Sequence, residues 1–343
     1  MKGCCLFIFA VLCGACASRS ATDSLAVRST SFAASQRPVH TFSIVARDKV
    51  TGELGVAVQS HWFSVGCVVP WAEAGMGAVA TQSIVDPAYG SLGLEMMRRG
   101  KSAPEALRGL LASDPRNAVR QVAMIDAQGR VMAHTGDKCI MPAGHIVDEA
   151  EQFSVQANLM ENDTIWPAMA KAYRESKGDL ADRLVAALEA AQQAGGDIRG
   201  QQSAAMVIVK AASSGKPWED RLFDLRVEDS ADPIGELKRL VTIQRAYNHM
   251  NAGDAAMEKK DFAAANREYT AAAKLAPQIV ELPFWQAVSL ASNGQVEQSL
   301  PIFRDVFARE QRWVPLIPRL VKAGLLPDDE KIVQQINAQA PRK

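Results

Sequence analysis

Two short stretches carry side chains able to act on a substrate. Thr41 opens an apolar run over residues 41–46, and Gln59, Ser60 and His61 close the next one, over residues 54–59. A hydroxyl at one strand mouth beside an amide, a hydroxyl and an imidazole at the next suits nucleophilic attack, with Thr41 as nucleophile and His61 as base. The same meeting of apolar strand and polar end recurs at Thr81-Gln82-Ser83, Val155-Gln156-Ala157-Asn158 and Gln201-Gln202-Ser203. Amide side chains donate and accept without charge. Brought together at one sheet end, they can hold a substrate amide, with Gln156 and Asn158 as candidates for steadying an oxyanion. Kept apart, they are strand ends bonding their own loops. Gln59, Ser60, Gln82, Gln202 and Ser203 are therefore candidate substrate contacts. Asp86 and Tyr89 join them, although the turn Asp86-Pro87-Ala88-Tyr89-Gly90 gives both a plainer role.

The elements that must position these groups are legible as apolar runs. Residues 41–46 are apolar at nearly every position, the mark of a strand covered on both faces. Strands are expected over 54–59, near 67–71, and over 77–82, 119–125, 131–135, 153–157, 202–211 and 221–227. Helices are expected over 92–99, behind the capping box Ser102-Ala103-Pro104-Glu105, and over 165–175 and 180–194. Strands and helices thus alternate in groups rather than singly. Doubly covered strands with helices in pairs point to an α+β layered sandwich and away from a doubly wound sheet.

Composition excludes little but is informative in places. With 38 Lys+Arg against 38 Asp+Glu, the chain has no net basic field for nucleic acid. Four of six cysteines fall within the first sixteen residues, leaving Cys67 and Cys139 in the body. Those two suit separate buried thiols, with a disulfide as the alternative. His134 and His145 flank Cys139 but supply too few donors for a metal centre, and no cofactor motif is present. Residues 1–17 run from Lys2 through an apolar stretch to small residues, an export signal too short to span a bilayer. Leu12-Cys13-Gly14-Ala15-Cys16 suggests a lipoprotein with Cys16 lipidated, and Ala15-Cys16-Ala17 a secreted protein instead. Residues 18–39, rich in Ser, Ala and Thr, read as a tether. The protein is expected outside the cytoplasm, periplasmic or anchored to the outer membrane.

Taken in order, TFSIVARD, TGELGVAVQS, VVPWAEAG, GAVATQS, DPAYG, HTGDKC, FSVQANLM and GQQSAAM resemble the family known as domain of unknown function 1028, over residues 40–232. That family resembles the N-terminal nucleophile (Ntn) hydrolases. The resemblance implies a four-layer αββα sandwich, and a Thr, Ser or Cys at the processed chain start whose own α-amine serves as base. Thr41 stands where many members begin their fold. Here it follows His40 and the tether, so signal cleavage near residue 16 or 18 leaves it internal.

From residue 233 the texture turns to Ala-rich helices. Gly253, Ala265, Tyr269, Ala272 and Pro277 fall at tetratricopeptide spacing, and a second copy shifted by 34 carries Ala287, Gly294, Ser299, Phe303 and Val306. Two such repeats are too few to stand alone and are expected to lean on residues 233–241 or on the core. The sequence therefore reads as an extracytoplasmic protein that binds a small-molecule or peptide ligand, or acts as a scaffold, and meets a protein partner through its repeats. The alternative is an Ntn-type amidohydrolase of a small amide or cell-envelope peptide.

Overall fold

The computed structural model describes residues 41–341. The expected signal, Cys16, the tether and His40 lie outside the described residues. The chain opens with a hairpin, β1 (Thr41–Arg47) and β2 (Leu54–Ser60). A 3-10 turn at Val65–Cys67 leads to a second hairpin, β3 (Pro70–Glu73) and β4 (Gly77–Ser83). Helices α1 (Ala88–Arg98) and α2 (Ala103–Ser113) follow, then β5 (Arg120–Asp126), β6 (Val131–Thr135), β7 (Gly144–Asp148) and β8 (Phe153–Asn158). Helices α3 (Ile165–Glu175) and α4 (Leu180–Gln193) lead into β9 (Ser203–Val209), the short α5 (Pro217–Asp220) and β10 (Arg221–Val227). The rest is helical: α6 (Pro233–Glu258), α7 (Phe262–Leu275), α8 (Glu281–Ser292), α9 (Val296–Arg309), α10 (Ile317–Lys322) and α11 (Glu330–Asn337).

The strands form two antiparallel sheets, β10-β9-β2-β1-β8-β7 and β3-β4-β5-β6. Their side-chain alternation explains the doubly apolar runs. Phe42 and Ile44 of β1, with Ala57 of β2, pack against Met169 and Tyr173 of α3, Leu184 and Leu188 of α4, and Leu237 and Val241 of α6. Val45, Val56 and Val58 point the other way, onto Ala78, Ala80, Ala123 and Ile125 of the second sheet. The far face of that sheet places Val79, Val122 and Met124 under Leu94, Met97 and Leu107 of α1 and α2. The core is therefore helices, sheet, sheet, helices. Each fully buried aliphatic side chain contributes about 1.5–3 kcal/mol, and the central strands supply two faces of them.

Local signals account for most boundaries. Ser102 and Glu105 form the reciprocal capping box at the start of α2, and Asp179 caps α4 through the Asp182 amide. Two expectations need correcting. The strand near 67–71 begins only at Pro70, because Val65–Cys67 is drawn into a 3-10 turn whose Val65 amide donates to Ser203 Oγ at 3.1 Å. The strand β7 carries no sequence signal of its own, since a half-exposed edge strand lacks the apolar density of its neighbours. Both thiols are free, as expected, but only Cys139 is buried, and burial pushes its pKa up; Cys67, expected to be buried as well, is exposed.

The helical part does not start from a linker. Ile234, Leu237 and Val241 in the first half of α6 are buried in the sheet-covering core, whereas Ala246 and Met250 further along pack with Ala272, Ala276 and Leu282. Gly253 lies so close to α7 that an added Cβ would sit 2.6 Å from the Tyr269 ring. Ala265, Tyr269 and Ala272 are buried, and so are Ser299, Phe303 and Val306 at the same places 34 residues later.

Candidate functional site

The layer between the sheets changes character along the strands. At one end it is Val, Ala and Ile. At the other, the same inward alternation presents Thr41 and Ser43 from β1, Ser60 from β2, Gln82 from β4, Gln121 from β5, and Gln156 and Asn158 from β8, all fully buried. Register brings them abreast: Thr41 lies between Ser60 and Asn158 in its own sheet, and Gln82 lies opposite Gln121 in the other.

These side chains form one hydrogen-bonded network. Gln82 Nε2 donates to Gln121 Oε1 at 2.7 Å, and to the Thr41 carbonyl at 3.1 Å across the sheet interface. Ser43 Oγ donates to Gln82 Oε1 at 2.7 Å and accepts from Gln156 Nε2 at 2.6 Å. Ser154 Oγ closes that end on Gln156 Oε1 at 3.0 Å. Asn158 Nδ2 donates to Gln121 Oε1 at 2.9 Å and to the Thr41 carbonyl at 3.5 Å. Gln121 Nε2 donates to the Ala157 carbonyl at 2.8 Å and to Thr135 Oγ1 at 2.9 Å. Thr135 Oγ1 lies 2.8 Å from Nδ1 of His145, which faces solvent. Thr41 Oγ1 itself donates to Ser60 Oγ at 3.1 Å.

Neutral amides suit this place. A charge so deep needs a paired counter-charge and still bears a desolvation cost, whereas an amide satisfies two neighbours at once. Gln82 and Asn158 grip the backbone of Thr41 rather than an external oxygen, and Gln156 is spent on Ser43. In this chain Gln82 and Asn158 hold the Thr41 backbone in place.

Five of the sequence candidates are thus brought together: Thr41, Ser60, Gln82, Gln156 and Asn158. Others are not. Ser203 sits on the same face, paired with Ser60 in register, but donates to the Trp62 carbonyl and holds the 61–66 loop. Gln202 bonds Asp229 at the surface. Gln59 and His61 belong to the opposite side of β2. The His61 backbone amide donates to Asp197 Oδ2 at 3.3 Å. Asp86 and Tyr89 lie on the outer face of the second sheet with buried Arg120. Its guanidinium reaches Asp114 at 2.7 Å and Asp86 at 3.4 Å, and the Tyr89 hydroxyl donates to Asp114 at 3.0 Å. Burial and the Asp114 contact together push the Tyr89 pKa up. Ser43, Gln121, Thr135 and Ser154 also belong to the network, although no strand-end motif in the sequence marks them. The period-2 alternation that marks Ala123 and Ile125 as inward also marks Gln121, and Ser43 alternates with Val45 in the same way.

Two cavities lie elsewhere. One, of about 660 Å³, opens between β3 with α1 and the β9–β10 edge, and is lined by Trp71, Leu94, Arg98, Val207, Asp220 and Arg226. The other, of about 730 Å³, runs along the C-terminal helices past Met250, Met257, Tyr269, Trp285 and Leu325, with Asp254 and Glu258 on its wall.

Comparison with known proteins agrees with this division of the chain. The chain is similar to the crystal structure of protein SPO2555 from Silicibacter pomeroyi, a DUF1028 protein, with 28% identity and a TM-score of 0.52. That match covers 59% of this chain and 88% of the other. No curated protein matches. The model of the family of unknown function DUF1028 matches residues 41–237, so its first matched residue is Thr41 and its last lies inside α6. The chain belongs to the DUF1028 family.

Proposed function

We propose that the two-sheet core is an Ntn-hydrolase-like amidohydrolase, silent in the translated chain and switched on by a cut between His40 and Thr41. The observation that carries this reading is the closure of the buried amide network on Thr41. Gln82 and Asn158 hold its carbonyl, and Ser60 Oγ accepts a hydrogen bond from its hydroxyl. A network of this depth is costly to assemble around an ordinary strand start. In the cut chain, Thr41 Oγ1 attacks the carbonyl carbon of a substrate amide, and its proton passes to the freed α-amine. The amine hands that proton to the leaving nitrogen as the C–N bond breaks, leaving an ester on Thr41. Water, deprotonated by the same amine, then attacks the ester, releases the carboxylate and restores the hydroxyl. The substrate is a small amide or a cell-envelope peptide, met outside the cytoplasm, where the cut that frees Thr41 also releases the core from any lipid anchor on Cys16.

The test compares three proteins on N-acyl p-nitroanilides: the full chain, the chain liberated to begin at Thr41, and the liberated chain carrying Thr41→Ala. Hydrolysis only by the second supports the proposal. A liberated chain no faster than its alanine variant, or a full chain equally active, overturns it. N-terminal sequencing of protein from its native host shows whether the cut occurs in the cell.

A second reading has its own observation. The groove on the C-terminal helices combines an apolar floor with Asp254 and Glu258. Two helical hairpins with the same positions buried 34 residues apart support a tetratricopeptide-like module. Such a module would take a protein segment bearing both apolar and basic side chains, and the core would then bind or scaffold without chemistry. Co-purification partners that are lost on Trp285→Ala, alongside an inert liberated core, would favour it.

A further inference from the structure

Among the described residues, nine buried side-chain nitrogen or oxygen atoms have no hydrogen-bond partner, and five of them belong to Gln59, His61, Gln192 and Gln201. Native interiors rarely leave such atoms unpaired, and five of them on two neighbouring segments call for a physical cause. These four residues come from two segments that meet. The Gln202 amide donates to the Ser60 carbonyl at 3.1 Å, and the His61 amide to Asp197 at 3.3 Å, so the end of β2 is laced to the loop leading into β9. Gly200 of that loop lies against His61, since a Cβ there would sit 3.9 Å from Nδ1. Gln192 adjoins the start of the loop, where a Cβ on Gly196 would meet its side-chain oxygen at 2.7 Å.

Gln59 is the key member. It is fully buried and both its amide atoms are unpaired. Its neighbours in register are Phe42 and Ala204, both in the apolar core under the helices, so the strand itself offers it nothing polar. The site is also electrically neutral. Asp197, the carboxylate beside it, is held by Arg199 at 2.7 Å. The unpaired atoms amount to three amide oxygens, one amide nitrogen and one imidazole nitrogen that donates or accepts according to its tautomer. An anion would meet more acceptors than donors. A cation would find no free carboxylate to offset its desolvation. A neutral group with two N–H donors and one carbonyl matches the set, because it can form a reciprocal pair with Gln59 and leave its second N–H for a neighbouring oxygen.

We propose that Gln59, His61, Gln192 and Gln201, closed over by the Gly195–Gln202 loop, form a binding site for a primary carboxamide, whether of a free small molecule or of an Asn or Gln side chain. The site lies on the face of β2 opposite Thr41 Oγ1 and so stands or falls apart from the amidohydrolase reading.

The test follows the Gln59 side-chain NH₂ resonances in the full chain labelled at glutamine, titrated with acetamide and with N,N-dimethylacetamide. The second compound keeps the carbonyl and lacks the N–H donors. The Gln59→Leu chain should fold, with a melting temperature at or above that of the parent, because it removes an unpaired amide from an apolar setting. It should bind acetamide at least about tenfold more weakly. Saturable shifts at Gln59 with acetamide alone, lost in the variant, support the site. A response to N-acetyl-glutamine methyl ester at matched concentration extends it to side-chain carboxamides. Equal response to both acetamides, acetamide binding unchanged in Gln59→Leu, or water contacts at Gln59 with no acetamide response would overturn it.

Discussion

Gln82 donates its amide to Gln121 at 2.7 Å from the neighbouring strand, and each then crosses to a different strand of the facing sheet, Gln82 to the Thr41 carbonyl and Gln121 to that of Ala157. The two sheets are thereby sewn together by polar bonds at one end and by Val, Ala and Ile at the other. Replacing Gln121 with Leu should leave the amides of Gln82 and Asn158 and the Ala157 carbonyl short of partners. Urea unfolding should show a loss of about 3 kcal/mol or more, well above the usual surface substitution. A loss within about 0.5 kcal/mol would mean that water replaces the network without cost.

Thr41 should separate chemistry from stability. In the chain liberated at that residue, Thr41→Ser should retain hydrolysis and Thr41→Ala should lower kcat by about a thousandfold or more. The stability change should be about 1 kcal/mol, one hydroxyl hydrogen bond. Parallel losses of activity and melting temperature in both variants would instead point to a structural role.

Acid should act on the Asp114–Arg120 pair. Burial opposes ionisation of Asp114, but hydrogen bonds from Arg120, the Arg116 amide and Tyr89 outweigh it and hold the carboxyl below the ordinary 3.8. A folded pKa below the unfolded one contributes stability that is complete above the unfolded value and fades as pH falls through the folded one. Asp114→Asn should therefore cost about 2 kcal/mol at pH 7, with Arg120 left buried and poorly paired. The gap should narrow on going to about pH 3. Urea melts at the two pH values decide, and a constant gap removes the argument.

Gly253 tests the helical part. With an added Cβ only 2.6 Å from the Tyr269 ring, Gly253→Val must prise α6 from α7, costing about 1–3 kcal/mol. Hydrogen exchange should quicken in α7 and α8 while amides of β1 and β8 stay protected. Uniform loss of protection across both would show one cooperative unit.

Much of this is legible in the sequence itself. The doubly apolar run at 41–46 announced a strand between two cores, because Ile44 and Val45 face different ones. The capping box at Ser102 placed α2 at its true start. The site was half legible. Its amides stood out as polar breaks at strand ends, which found Gln82, Gln156 and Asn158. Gln121 sits near the start of β5 with apolar neighbours after it, and only its alternation with Ala123 reveals its direction. Whether an amide faces the other sheet or the helices depends on strand phase, and one residue reverses it. That is why Gln59 and Ser60, adjacent in sequence, ended on opposite sides. Asp86 and Tyr89 were drawn away by Arg120, an ion-pair partner on a strand far along the chain that local reading does not bring to them.

The continuous helix α6, half embedded over the first sheet and half packed against α7, also sets an angle. Its 26 residues run roughly 39 Å without a joint. Each residue of an α-helix advances it by about 1.5 Å and turns it by about 100°. A single residue inserted between Val241 and Ala246 would swing everything beyond through more than a quarter of a circle. The groove past Met250 and Trp285 thus points in a direction keyed to the sheet like a cam on a shaft, and deletions there would retime it in steps rather than loosen it.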